Sequence, residues 1–242
     1  MIIKFIIILC IIVTLILIYN YIKSRYVIIE CINIKSDEKR RKDLLVHMKN
    51  IGLKSNFNFF KAITSDDICR DEYKDYIDFV TEKKIGRLGC WLSHINIWKK
   101  YKNYTKPILV IEDDVRFVTN FPNELKQIVN YLNNNPKIDW DLCFLGRNQY
   151  DNSNENISLN AHELEKIQNK FYQFHCYLVN CKNIDKLLKY CDLKNIDMET
   201  FKKNSAIDVY IPGIFDKLNL LGVKNQLAIQ VSSSEYGGSN TG

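Results

Sequence analysis

The chain has 242 residues, 46% of them hydrophobic, which supports one substantial core and excludes a globally disordered protein. Its formal charge of +6 comes from Lys and Arg residues that are interleaved with Asp and Glu. Because the sequence contains no basic stripe, we expect no nucleic-acid partner. The eight cysteines include no Cys-x-x-Cys pair, so we do not expect a structural zinc site.

The first 25 residues predict a membrane anchor. Phe5 to Ile22 is almost wholly apolar, and eighteen helical residues span about 27 Å, close to the thickness of a bilayer core. A cleaved signal peptide is the alternative, but no Ala-x-Ala pattern precedes Arg25. We therefore predict a single-pass anchor over residues 1–25 and a catalytic domain over residues 26–242. Basic residues flank both ends of the anchor, so its lumenal or cytosolic orientation is undetermined.

The domain begins with a predicted strand and helix. Residues 26–34 are rich in β-formers, Ser36 or Asp37 can cap the helix that follows, and Gly52 can end it. Arg40 falls in the first turns of this helix, where a nucleotide could lie after the strand. A solvated basic face is the other interpretation of this position.

A second helix is predicted from Gly86 to Trp98, because its apolar residues recur at helical spacing. Ser93 and His94 are flanked by that apolar stripe. A histidine in such a setting is more often a hydrogen-bonded core residue than a ligand or a base.

The central feature is a buried strand, Ile108 to Ile111, that runs directly into Glu112, Asp113 and Asp114. Open α/β folds keep their ligand sites at the carboxyl ends of such strands. If the chain stays extended, Glu112 and Asp114 point to one side and Asp113 to the other. Two carboxylates on one side suit Mg²⁺ or Mn²⁺. The alternative is a solvated loop or a helix N-terminus that favours negative charge.

Further strands and helices alternate to the end of the chain, which predicts an α/β fold with a mostly parallel sheet. We expect strands at residues 58–63, 140–145, 174–179 and 227–231, helices at 121–132 and 184–190, and a polar loop at 149–160. Asp208 is an isolated acid inside the apolar run from Ala206 to Ile211. A carboxylate in such a run needs a partner or a chemical role.

Four stretches resemble glycosyltransferase family 25, the group of lipopolysaccharide-type β-galactosyltransferases and procollagen galactosyltransferases. They are similar to the family's opening strand with its Arg-Arg turn, to Gly-x-x-Gly-Cys-x-Leu-Ser-His, to Leu-Glu-Asp-Asp-Val and to Trp-Asp-x-x-x-Leu-Gly. In this chain the stretches are residues 32–41, 86–94, 110–115 and 140–146. Their order and spacing extend the resemblance over nearly all of residues 27–231.

The resemblance implies a GT-A-like fold, a UDP-sugar donor, Mn²⁺ or Mg²⁺, and inversion at the anomeric carbon. It implies metal contacts for Glu112 and Asp114, and a metal or ribose contact for Asp113. Arg40 becomes a donor-site candidate, and Ser93 and His94 become residues that shape the donor pocket. Asp208 is the candidate for the catalytic base, with a further metal or acceptor contact as its alternative role.

The expected function is a membrane-anchored transferase that moves a hexose, with galactose the first choice, from a UDP-sugar to a glycan or a hydroxylated protein side chain. A catalytically retired relative that binds sugar or a partner protein is the second hypothesis. A membrane-tethered metal-binding scaffold is the third, and it predicts cation binding that is indifferent to UDP. The acceptor and the particular hexose are not determined by the sequence.

Overall fold

The computed structural model of the chain describes residues 9–15, 27–53, 56–68, 72–80, 85–149, 157–158 and 164–231. Residues 9–15 are helical and exposed. Over these described ranges, no helix combines the length and the apolar character needed to cross a bilayer. The anchor predicted for residues 1–25 falls mostly outside the described residues, as does the polar loop predicted for residues 149–160, so both stay predictions.

One eight-stranded sheet forms the centre of the described part of the chain, in the order β2-β1-β3-β8-β5-β9-β7-β6. Its strands are β1 (Ile28–Asn33), β2 (Asn56–Lys61), β3 (Ile108–Glu112), β5 (Leu142–Gln149), β6 (Ile157–Ser158), β7 (Leu164–Lys166), β8 (Phe171–Val179) and β9 (Leu220–Val223). A separate two-stranded ribbon pairs β4 (Val115–Phe117) with β10 (Ala228–Gln230). The α/β class predicted from the sequence is therefore confirmed.

The sheet is mixed, so the prediction of a mostly parallel sheet is wrong. Three of its pairings are parallel, β1 with β2, β1 with β3, and β5 with β9. The other four are antiparallel, because β8 runs between β3 and β5 in the opposite direction and β7 reverses against β9 and β6. A buried strand has the same continuous apolar pattern in either direction, so the pattern does not report which way β8 runs.

Helices cover both faces of this sheet. They are α1 (Glu38–Asn50), α2 (Lys74–Phe79), α3 (Ile85–Lys100), α4 (Phe121–Asn134), α5 (Ile184–Cys191), α6 (Met198–Lys203) and α7 (Ile207–Gly213). Alternate residues of β3 point to opposite faces, so Ile108 and Val110 join one apolar core and Leu109 and Ile111 join the other. The first core contains α3, α5, α6 and α7, whereas the second contains α1 and α4.

Local sequence explains where α1 begins and ends. The Asp37 side chain accepts a hydrogen bond from the backbone N–H of Arg40 at 3.1 Å, which caps the helix. Gly52 follows the helix with a φ of 69°, a conformation that glycine adopts without a side-chain clash. Capping of this helix orients the first turn, and with it Arg40, toward the end of β3.

The ribbon of β4 and β10 positions one further polar side chain. Residues 227–231 were predicted to be the last strand, and β10 confirms a strand there, although it pairs outside the main sheet. The register places Gln230 opposite Val115, directly after the acidic residues. This pairing brings the end of the chain's described part to the carboxyl end of β3.

Candidate active site at the end of the central strand

Glu112 and Asp114 lie on one side of the chain, as the sequence predicted. The backbone turns at Asp113 and Asp114 instead of staying extended, because β3 ends at Glu112 and β4 begins at Val115. The Gln230 amide Nε2 donates to Asp114 Oδ2 at 3.0 Å and lies 3.5 Å from Glu112 Oε2. The two carboxylates therefore share a single neutral donor.

Asp113 faces the other way, toward β1 and α1. Its Oδ2 accepts from Asn33 Nδ2 at 2.7 Å, and its Oδ1 accepts from Arg40 Nη1 at 3.1 Å. Arg41 Nη2 donates a hydrogen bond to Oδ1 of the same Asn33 at 2.7 Å. Arg40 also lies 3.9 Å from Asp114 Oδ2. Arg40, which the sequence predicted as a donor-site residue, therefore places its positive charge against Asp113 and Asp114 of the acidic run.

Negative charge exceeds positive charge in this cluster. Burial raises the pKa of Glu112 to about 7, with further contributions from the charges of Asp208 and Asp113. Burial and the neighbouring Glu112 raise the pKa of Asp114 to about 7. The pKa of Asp113 is also raised by burial, although Asn33 and Arg40 oppose that shift. Within the described residues, Asp114 Oδ1 is buried and has no hydrogen-bond partner. Such an arrangement of carboxylates favours a bound cation.

Asp208 lies in the first turn of α7 and lines the same cavity as Glu112. The cavity has a volume of about 360 Å³, and the residues that line it include Arg87, Glu112, Gln173, Asp208 and Gln230. Burial raises the pKa of Asp208, while a hydrogen bond from its own backbone N–H and the charge of Arg87 act to lower it. The structure thus brings together the isolated acid and the acidic run, which are 94 residues apart at their nearest point (208 − 114).

His94 lies behind the cavity wall and is fully buried. Its Nδ1 is 2.8 Å from the Tyr177 hydroxyl, which also accepts from Trp98 Nε1 at 3.3 Å. Its Nε2 is 3.4 Å from Glu112 Oε1. Burial lowers the pKa of His94 to about 3, so the ring is neutral at physiological pH. The interpretation of His94 as a hydrogen-bonded core residue is therefore confirmed, and its contact with Glu112 gives it a place in the site.

Cys90 stands one helical turn before His94, and its Sγ is 3.9 Å from Glu112 Oε1. Cys90, His94 and Glu112 each present one ligand atom, and the three atoms lie within 4.8 Å of one another. Helical spacing of four residues puts Cys90 and His94 on the same face, and the sequence analysis did not use this pair. The absence of Cys-x-x-Cys therefore did not exclude a cluster of metal-ligand type.

Ser93 has a structural position that the sequence did not specify. Its hydroxyl donates to the Gly89 carbonyl at 2.8 Å and accepts from the Ile63 backbone N–H at 2.8 Å. It joins α3 to the segment after β2 and is fully buried. A direct donor contact for Ser93 or His94 stays a prediction, since neither is among the described residues that line the cavity.

Two cavity residues, Gln173 and Gln230, were missed by sequence reasoning. Gln173 has a φ of 74°, an unusual backbone conformation for a residue with a side chain, and it lines the same cavity as Glu112 and Asp208. No described residue hydrogen-bonds its side-chain amide. A glutamine in a strand has no local pattern that marks it as functional, so only the structure identifies these two residues.

The chain is similar to known proteins over most of its length. The family model described as glycosyltransferase family 25 (LPS biosynthesis protein) matches residues 26–202. The chain belongs to glycosyltransferase family 25. The matched region includes the whole acidic run and ends before Asp208. The assignment of Asp208 therefore depends on its position in the fold.

Over the aligned stretches, three family 25 relatives are 26–29% identical to the chain. Procollagen galactosyltransferase 1 of Danio rerio is 29% identical over 134 residues, which are 54% of this chain and 20% of the relative. A glycosyltransferase 25 family member of Aedes aegypti is 26% identical over 197 residues, 76% of this chain and 30% of the relative. A probable inactive glycosyltransferase 25 family member 3 of Bos taurus is 28% identical over 133 residues, 54% of this chain and 21% of the relative. The chain thus spans less than a third of the length of these relatives.

Proposed function

We propose that this family 25 chain is an inverting hexosyltransferase that transfers galactose, or a similar hexose, from a UDP-sugar to a glycan or a hydroxylated protein side chain. The observation that carries the proposal is the group of buried acids around Asp114, whose Oδ1 has no partner among the described residues. Similarity to a procollagen galactosyltransferase supports galactose as the first donor to test. The fold that we propose for the domain is GT-A-like.

Glu112 and Asp114 are the residues that would hold Mn²⁺ or Mg²⁺. Both carboxylates are half-buried with raised pKa values, and a neutral amide is the donor they share. These residues fit a hard divalent cation, which takes oxygen ligands and leaves positions for substrate phosphates. When bound, the cation would supply positive charge to stabilise the departing diphosphate.

Asp208 is the proposed general base. Asp208 lines the same cavity as Glu112, where an acceptor hydroxyl could approach the sugar. A base in this position takes the proton of the acceptor hydroxyl as the new glycosidic bond forms. Arg40, oriented by Asp113 and by the helix cap at Asp37, provides fixed positive charge on the nucleotide side. Ser93 and His94 hold the elements behind the pocket.

The membrane assignment is a further part of the proposal. The apolar segment from Phe5 to Ile22 supports a single-pass anchor over residues 1–25, with the catalytic domain over residues 26–242 on either the lumenal or the cytosolic side. Such an anchor would hold the site near membrane-bound glycans or secreted proteins.

A catalytically retired protein is the second candidate, because similar proteins include probable inactive members of the family. A retired protein would bind a UDP-sugar or a partner without turnover. The chain carries all three acids of the run at Glu112, Asp113 and Asp114, which supports the active enzyme.

The deciding experiment measures UDP release by the purified full-length chain with a panel of UDP-hexoses, with and without Mn²⁺. Turnover that requires Mn²⁺ and is lost in Asp114→Ala supports the proposal and identifies the donor. Asp216→Ala is the matched control, because Asp216 is an exposed acid paired with Lys217. Mn²⁺-dependent UDP binding without release for any acceptor would favour the retired protein. A folded chain with neither release nor UDP binding would contradict both.

A further inference from the structure

We propose that Cys90, His94 and Glu112 form a second cation site, selective for Zn²⁺ and related thiophilic metals, that shares Glu112 with the proposed Mn²⁺ position. The three ligand atoms already lie within 4.8 Å of one another. Two ligands of a tetrahedral Zn²⁺ are about 3.4–3.6 Å apart at ordinary bond lengths. His94 Nε2 and Glu112 Oε1 are 3.4 Å apart, and Cys90 Sγ and Glu112 Oε1 are 3.9 Å apart. Small side-chain movements are therefore enough to close the site.

The residues behind this site hold His94 in the orientation that a metal requires. The Tyr177 hydroxyl contacts Nδ1, so Nε2 is directed at Glu112. A histidine that binds metal through one ring nitrogen normally donates a hydrogen bond from the other, and the Tyr177 oxygen can accept it. Binding uses the Nδ1–H tautomer of neutral His94 and releases the Cys90 thiol proton to solvent.

The site has an open side for a fourth ligand. Cys90 and Glu112 both line the cavity, whereas His94 lies behind them and is fully buried. Three protein ligands with one accessible position are typical of an exchangeable zinc site. The nearby negative charges of Asp114 and Asp208 also favour a cation here.

Ligand chemistry separates the two cation positions. The position at Glu112 and Asp114 offers oxygen ligands only, which suit Mn²⁺ and Mg²⁺, whereas a thiolate and an imidazole favour Zn²⁺ and Co²⁺. Because Glu112 belongs to both positions, occupation by Zn²⁺ removes a ligand from the proposed Mn²⁺ position. Zn²⁺ is therefore expected to inhibit Mn²⁺-dependent transfer, and this consequence alone rests on the proposed function.

The test uses Co²⁺ as a spectroscopic substitute for Zn²⁺. We expect the metal-free full-length chain to bind one Co²⁺ with a near-ultraviolet thiolate-to-metal charge-transfer band that Zn²⁺, but not Mg²⁺, abolishes. The conservative variant Cys90→Ser should lose the band and bind Co²⁺ at least about tenfold more weakly, since losing a direct ligand should cost no less than losing a residue that supports one. Cys10→Ser is the matched control, because Cys10 is an exposed thiol outside the site and its removal should leave the band intact.

A band that persists in Cys90→Ser, or no band in the folded wild type, would overturn the proposal. X-ray absorption of the Zn²⁺-loaded wild type needs no variant, so its result does not depend on whether a variant folds. The proposed site requires one sulfur ligand, and a Zn²⁺ coordination shell without sulfur would contradict the proposal. The Zn²⁺ inhibition constant for Mn²⁺-dependent UDP release should be at least tenfold higher in Cys90→Ser than in the wild type. Each protein's rates are normalised to its own rate without Zn²⁺. If the wild type releases no UDP, the proposed function fails while the Co²⁺ spectrum still decides the metal site.

Discussion

Buried or half-buried carboxylates lie at both ends of the central strands, which we call the two edges of the sheet. Their hydrogen-bond partners differ between the two edges. β3 and β5 start at the same level, because Ile108 and Leu142 both align with Val179. Asp141, just before β5, therefore lies at the edge opposite Glu112, the last residue of β3. Lys186 donates to Asp141 Oδ2 at 2.6 Å, the Asn219 backbone N–H donates to the same oxygen at 2.7 Å, and Asn183 donates to Oδ1 at 2.8 Å.

Among the described residues, the acids at the carboxyl end of β3 have fewer or longer contacts with donors, and Asp114 Oδ1 has no hydrogen-bond partner. Arg40 is the basic side chain that pairs with Asp113, while Glu112 and Asp114 share the Gln230 amide. A buried carboxylate with matched donors stabilises the fold, whereas one without them costs folding free energy that a ligand can later recover. The donors around Asp141 thus stabilise the fold, whereas the acids after β3 leave negative charge that a cation would compensate, as the proposed function requires.

The largest expected effect is on turnover and concerns Asp208, the proposed general base. Asp208→Asn should lower turnover by about 10²–10⁴-fold, because the amide cannot accept the acceptor proton. Binding of UDP with Mn²⁺, measured by calorimetry, should be unchanged, and Asp216→Asn should behave as wild type. Loss of UDP and Mn²⁺ binding together with turnover would instead assign Asp208 the alternative role of a metal contact.

The second prediction tests the opposite edge. Asp141→Ala should lower the free energy of unfolding by about 3–5 kcal/mol, because it leaves buried donors and the Lys186 charge without their acceptor. Urea denaturation measures the change. Asp185→Ala is the control, since its carboxylate is exposed and pairs with Lys102 at the surface, where an ion pair contributes little. An unfolding free energy equal to wild type in Asp141→Ala would break the comparison between the edges.

The third prediction concerns pH. Glu112 and Asp114 have folded-state pKa values raised to about 7, so their stabilising contribution is present below the unfolded pKa values and is lost as pH rises through about 7. Asp114→Asn removes one of the two charges. The variant should therefore melt higher than wild type at pH 8, by about 2–4 °C for each kcal/mol recovered.

The advantage of Asp114→Asn should shrink as the pH falls from 7 to the unfolded pKa of 3.8, below which the wild-type carboxyl is protonated in both states. Thermal melts across that pH range, without divalent metal, measure it. A constant difference at all pH values would show that charge is not its origin. A variant less stable than wild type at pH 8 would contradict the view of this edge as destabilised.

The smallest expected effect concerns Gln173, whose backbone has a φ of 74° at the cavity. Gln173→Gly should leave stability unchanged or raise it by up to ~1 kcal/mol, because glycine adopts this conformation without strain. Gln173→Ala is the matched control, since it removes the same amide but keeps a Cβ. If the amide contacts the donor sugar, both variants should raise KM for the UDP-sugar several-fold with little change in kcat. An unchanged KM in both would remove Gln173 from the binding site.

Much of the architecture could be predicted because it is encoded locally. The apolar periods of α1, α3 and α4, the Asp37 cap and Gly52 specify helices through neighbouring residues alone. The apolar run from Ile108 to Ile111 likewise identified the central strand and the acids at its end. The short strands β7 and β9 and the helix α6 were not predicted, because a few residues do not establish a period.

By itself, the sequence determined the family, the α/β class and the acids of the central strand, since each depends on residue type and short spacing. Only the tertiary structure decided the direction of β8, the pairing of β10 with β4 that brings Gln230 to the acids, and the meeting of Asp208 with Glu112. It also placed Cys90 and His94 against Glu112. These features depend on contacts between residues far apart in the chain, where hydrophobic pattern specifies burial but neither strand direction nor the particular neighbour.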